Sequence, residues 1–194
     1  KKILPNTRLI EGEFASLFKI SRTPVREALR MLEAEQLIEY IPKKGMVVRS
    51  ILSEQEICEI FEIRKALEVI LWRDYLLENI TPSQVKTLWQ ILKKNEEALK
   101  NKDAKKFWKY SREFNDKSLE YCKMPYLVSF LSSLNNNLAI VRRQNVISTN
   151  RCREVITEHR ELLEALEAKD KERMEKTVII HLENSKRTYI ERKQ

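Results

Sequence analysis

The sequence predicts a mostly α-helical protein, with a winged helix-turn-helix carrying a small β-hairpin wing at the N-terminus and an all-α helical bundle after it. Only two glycines occur in 194 residues, too few for the tight turns of a many-stranded β fold. Apolar residues make up 42% and charged residues 34%, a balance that buries a core while long helices keep solvated faces. The spacing of apolar residues is helical at first, alternates briefly, and is helical again to the end.

A short helix is expected over 13–18, with Phe14, Leu17 and Phe18 on one side. The chain then turns at Lys19-Ile20-Ser21, where Ser21 has the residue type of an N-cap. The second helix runs through Val25, Ala28, Leu29 and Leu32, with Arg26, Glu27 and Arg30 off that stripe. After Gln36 the apolar residues alternate through Leu37, Ile38, Tyr40 and Ile41. Pro42-Lys43-Lys44-Gly45 follows, then Met46-Val47-Val48-Arg49. Two β-rich runs around a turn with Gly predict a hairpin. Residues 1–49 thus form the winged head, and residues 53–194 the helical domain. Because Ile3-Leu4-Pro5 opens the chain abruptly, one further helix is expected ahead of it.

The bundle is punctuated by helix starts. Ser53-Glu54-Gln55-Glu56 has the pattern of a capping box, opening a helix that reaches about residue 78. Thr81-Pro82-Ser83-Gln84 is a second start, with Pro at the first helical position and Gln at the third. Asp103, Pro125, Asn150 and Asp170 mark four more, giving helices of about 20 residues. Trp72, Trp89 and Trp108 are expected in packing, since an indole buries much area. Lys93, Lys94 and the lysines between 100 and 106 are expected on solvated faces.

The formal net charge is +8 and the isoelectric point about 9.3, which favours an anionic partner. No apolar run approaches the roughly 18–20 residues that span a bilayer. Three cysteines, Cys58, Cys122 and Cys152, lack CxxC spacing, as expected of reduced thiols in a cytoplasmic protein. Inside a cell, nucleic acid is then the expected anion. Arg22, Thr23, Arg26 and Arg30 supply cations and polar groups at the start of a helix, where backbone N–H groups also favour phosphate. Arg22 and Arg26 are four residues apart and project from nearly one face. Lys43, Lys44 and Arg49 add charge to the wing. A solvated basic helix would show the same arginines; the adjoining turn, helix and hairpin distinguish the DNA-binding motif.

The run from Phe14 to Leu32, with Ser21-Arg22-Thr23-Pro24-Val25-Arg26-Glu27-Ala28-Leu29 as its most specific part, resembles the helix-turn-helix of the GntR family of bacterial transcription regulators. Glu35-Gln36-Leu37-Ile38 and Lys44-Gly45-Met46-Val47-Val48 resemble that family's wing. The resemblance implies contact of Arg22, Thr23 and Arg26 with bases or phosphates, and close approach of the wing tip at Gly45. Many relatives carry an Arg where this chain has Gly12. Arg64-Lys65-Ala66-Leu67-Glu68, Phe114-Asn115, Glu158-His159-Arg160, the run from Ala165 to Asp170, and His181-Leu182 resemble the all-helical effector domain of the FadR-like branch.

Many members of that branch hold a divalent metal, zinc or nickel, with one Asp and three His. The corresponding positions here are Ser111, Asn115, His159 and His181, and the latter two are the only histidines in the chain. With the carboxylate and one imidazole gone, Asn115, His159 and His181 form a depleted metal set. The alternative is that both histidines hydrogen-bond within a polar cavity or to an effector. Arg64, Asn115, Arg142, His159 and His181 are the candidate effector contacts, the arginines to neutralise a carboxylate ligand. Glu68 or Glu113 could instead pair with Arg64. The expected protein is a homodimer on a palindromic operator of double-stranded DNA, controlled by a small organic acid. A metal-dependent enzyme using the two histidines and a helical interaction protein that has lost DNA binding are the competing readings.

Overall fold

The computed structural model describes residues 3–35, 37–49, 52–142 and 149–191, apart from the side chains of 139–142. They divide into two compact units, one of Lys1–Ser53 with Asn135–Arg143, the other of Glu54–Leu134 with Gln144–Gln194.

In the first unit, α1 (Glu11–Phe18) ends at Lys19, whose left-handed backbone (φ 56°) turns the chain into α2 (Arg22–Ala34). Pro24 sits in the first turn of α2, where its missing N–H costs no helical hydrogen bond. Ser21 stands at the N-cap with an extended backbone, but its side chain makes no capping hydrogen bond. The N-cap position is therefore as expected, without the side-chain hydrogen bond that a serine can supply there. The wing is the antiparallel pair β1 (Ile38–Ile41) and β2 (Gly45–Val48), in register Ile38 to Val48 and Ile41 to Gly45. The turn needs positive φ at Lys43 (68°) and Gly45 (83°), the latter easily met by glycine. A third extended segment, unforeseen in the sequence, pairs with β2: Asn6 N–H donates to Val48 O, Val48 N–H to Thr7 O, and Leu9 N–H to Met46 O. Leu9, Ala15, Val25, Leu29 and Ile38 form the core, flanked by Phe14, Leu32, Met46 and Val48. Leu17 and Ala28, expected on apolar faces, are exposed.

In the second unit, α3 (Glu54–Val69) continues through a π-helical segment (Ile70–Leu76) into α4 (Leu77–Asn79). The expected helix end near residue 78 holds, but the π segment carrying Trp72 left no mark in the periodicity. Then follow α5 (Pro82–Lys100), α6 (Ala104–Glu120), α7 (Pro125–Arg142), of which residues 125–134 belong to this unit, α8 (Thr149–Ala168) and α9 (Lys171–Ile190). The Thr81–Gln84 capping box forms in both directions. Asp103 and Asp170 each accept from the backbone N–H three residues on. Apolar faces order the packing: α3 lies on α9, α9 on α8, α8 on α5, and α5 on α6. Leu131, Leu163, Ala165, Met174 and Leu182 are wholly buried. Trp72 is buried, Trp108 meets Phe107 edge-on at 4.9 Å, and Trp89 donates to Glu167 at 3.0 Å. Among the described residues, no helix is long and apolar enough to cross a membrane.

Candidate functional site

The head presents its cations along α2. Val25 and Leu29 are buried, so Arg22, Thr23, Arg26 and Arg30 fall on the solvent side of the helix and are all exposed. Lys43 and Lys44 are exposed at the wing tip. The arginines are not all free. Arg26 donates through Nε and Nη2 to the two oxygens of Glu11, at 3.0 and 2.8 Å. The hydrogen bond from Arg26 holds the Glu11 carboxyl below its ordinary range, helped by the nearby charges of Arg22 and Arg30. Arg30 leans on Glu27 at 3.4 Å.

Arg22 lies over Gly12, and a Cβ at that glycine would stand 3.6 Å from its Nη2. The guanidinium of Arg22 thus occupies the space beside Gly12. Arg8 approaches Gly45 in the same way, 3.9 Å from where a Cβ would stand. Glu11 and Arg8 were both missed in the sequence, Arg8 because it precedes any periodic segment.

The helical unit gathers its polar groups around two imidazoles. His159 on α8 is 2% exposed, and neither ring nitrogen has a hydrogen-bond partner. Its ring stacks on Phe114 of α6, centroids 4.1 Å apart and planes 8° apart, and lies 5.3 Å from His181 of α9. Phe114 in turn stacks on Trp72 at 5.9 Å. Burial, then the neighbouring charge at His181, pushes the His159 pKa well below the usual histidine range, so the ring is neutral at physiological pH.

His181 is oriented differently, its Nδ1 meeting Glu158 Oε2 at 2.7 Å. Glu158 also accepts from Arg151 at 2.6 and 2.9 Å and from Asn184 at 2.7 Å. Burial raises the Glu158 pKa, but the bonds from His181 and Arg151 outweigh it and leave the carboxyl at about 2. The seven-residue spacing of Arg151 and Glu158, two turns on one helix face, was the signal that could have found this pair. A cleft of about 630 Å³ between α8 and α9 has Glu158, Thr177 and Asn184 in its lining.

The structure therefore brings His159 and His181 together, with Ser111 and Asn115 flanking Phe114 on α6. Arg64 is buried on α3 and donates to Glu68 at 2.9 and 2.5 Å, the partner that the sequence allowed beside a ligand carboxylate. The side chain of Arg142 lies outside the described residues.

The implied divalent metal does not fit this donor set. The Ser111 hydroxyl accepts from Asn95 at 2.9 Å, and two imidazoles supply only two of the three His, Cys or carboxylate ligands that even an open zinc site keeps, with a neutral amide as the third. Among the described residues, no group of three His, Cys, Asp or Glu side chains is placed to hold a metal.

Comparison with known proteins accounts for both units. Residues 1–48 match the family model of bacterial regulatory proteins, gntR family, and residues 59–184 match the FCD domain. The transcriptional regulator YdhC of Bacillus subtilis is 25% identical over 178 residues, 91% of this chain and 79% of that protein. The gluconate operon transcriptional repressor of the same species is 29% identical over 174 residues, 85% of this chain and 69% of the repressor. The solved structure of Escherichia coli McbR/YncC superposes with a TM-score of 0.81 at 26% identity, covering 99% of this chain and 91% of that one. The fold and these matches define a DNA-binding transcription regulator with a helical effector domain. The chain belongs to the GntR family, in the group that carries an FCD domain.

Proposed function

We propose that the chain is a cytoplasmic, homodimeric, ligand-responsive repressor rather than an enzyme. Two copies of α2 enter successive major grooves of a palindromic operator, because each recognition helix reads only a half-site. Arg22, Thr23, Arg26 and Arg30 meet bases and phosphates, while Lys43, Lys44 and the backbone at Gly45 lie along the neighbouring strand. The observation that carries this is the row of exposed arginines on α2. Selection from a random duplex library, followed by gel shift with R22A/R26A, tests it. A palindromic consensus lost in the variant supports the reading, and failure to enrich any sequence overturns it.

The effector is a small organic acid held in the helical unit by His159, with His181, Asn115 and Arg64 as further contacts. The unpartnered nitrogens of His159 support this placement, since buried polar groups are ordinarily satisfied. A carboxylate drawn to Arg64 must compete with Glu68. Because a relative represses a gluconate operon, sugar acids are the first ligands to try. The ligand must bind the two arrangements of the dimer unequally to act at all. Thermal shift with gluconate and related acids, on wild type and H159F, checks the site. A shift shared equally by both proteins contradicts it.

A further inference from the structure

The helical unit keeps two imidazoles of a metal site and builds its remainder from neutral groups. We propose that ligand recognition at His159 is metal-independent, its two unpartnered ring nitrogens hydrogen-bonding the ligand directly with no divalent ion between them. The proposal deepens the reading of this unit as an effector domain and rests on it.

Asn95 of α5 is 1% exposed and donates to the Ser111 hydroxyl of α6 at 2.9 Å. Ser111, the position to which the resemblance assigns a carboxylate, thus carries a neutral hydroxyl already engaged by Asn95. Asn95 Oδ1 is left without a partner, as are both nitrogens of His159, whose stacking partner Phe114 stands one turn along α6 from Ser111. Unmatched buried polar atoms of this kind fit a small ligand rich in hydroxyl or amide groups, with donors and acceptors alternating. A metal-bound imidazole ordinarily donates its second nitrogen to a carboxylate or carbonyl, which fixes the ring. His181 has such a partner in Glu158, and His159 has none. One properly supported imidazole does not hold zinc or nickel.

Metal content and thermal midpoint of the purified full chain, measured with and without added Zn²⁺ or Ni²⁺, test the proposal. The wild type is expected to retain far less than one equivalent and to keep its midpoint. N115H, which restores a third imidazole, and S111D/N115H, which restores the carboxylate as well, are expected to take up metal. Their midpoints then rise by several degrees on metal addition. Near-stoichiometric metal in the wild type overturns the proposal. Variants that stay metal-free overturn the assignment of the loss to these two positions, and N115H reads this out even if S111D/N115H fails to fold. None of these measurements involves DNA or an effector, so their outcome is separable from that of the regulator reading.

Discussion

Arg151 grips Glu158 from two turns back on the same helix, its two Nη atoms meeting the two carboxylate oxygens at 2.6 and 2.9 Å. Both side chains are only 7% exposed. Removing one partner of such a pair leaves the other charge buried and costs about 3–5 kcal/mol. R151A is expected near the lower end, because His181 and Asn184 still hold Glu158. Urea unfolding checks this. The cost of R151A with E158Q should be smaller than the sum of the two alone, since both remove one interaction.

The same cluster sets the response to acid. The Glu158 carboxyl titrates at about 2 in the fold against 4.5 for its ordinary value, so its contribution is fully present above about pH 4.5 and is lost between there and pH 2. His159 acts at higher pH. Its pKa is depressed from 6.5 in the fold, so the unfolded chain gains a proton first, and stability begins to fall as pH drops through 6.5. Thermal midpoints from pH 8 downwards should show both limbs. H159F should remove the upper one and E158Q the lower.

H159F also tests the buried ring itself. It preserves the flat stack on Phe114 and deletes two unpartnered nitrogens. Without ligand it is expected to be neutral or to stabilise by roughly 1 kcal/mol, because an unsatisfied buried polar group is itself a cost. A clear loss of stability in H159F would show that the nitrogens are satisfied in the free protein.

The parts of the fold that depend on local chemistry were legible in the sequence. Thr81 with Gln84, Asp103 and Asp170 start their helices by hydrogen bonds three residues long, and the wing turn is set by Lys43 and Gly45. What depends on tertiary pairing was not. The third extended segment at residues 6–9 exists only because β2 offers it a partner, and the π segment at Ile70–Leu76 is embedded in a continuous helical pattern. Arg22 and Arg26 were legible as exposed cations, but their engagement with Gly12 and Glu11 required α1 to pack across α2. Likewise the two histidines were visible as a pair, while the bond of Asn95 to Ser111 and that of Arg151 to Ser185 join side chains of different helices and depend on how those helices pack.

On the proposed reading of α2, Glu11 competes with DNA for Arg26. Replacing it with a neutral amide, E11Q, should release that guanidinium and tighten DNA binding about two- to fivefold at low salt, the range of an exposed ion pair. The salt dependence should steepen, since one more phosphate is neutralised by each protomer. Fluorescence anisotropy over a salt series measures both. Weaker binding by E11Q would mean that Glu11 holds Arg26 in its reading position.

The central claim is that α2 is the surface that meets DNA, and a salt titration of duplex binding by wild type and R22A/R26A tests it most directly. The wild type should show log K falling linearly with log salt. The double variant, with its helical content unchanged by circular dichroism, should lose operator affinity and up to about four units of that slope, two from each protomer of the dimer. Equal affinities and equal slopes for the two proteins would contradict the account.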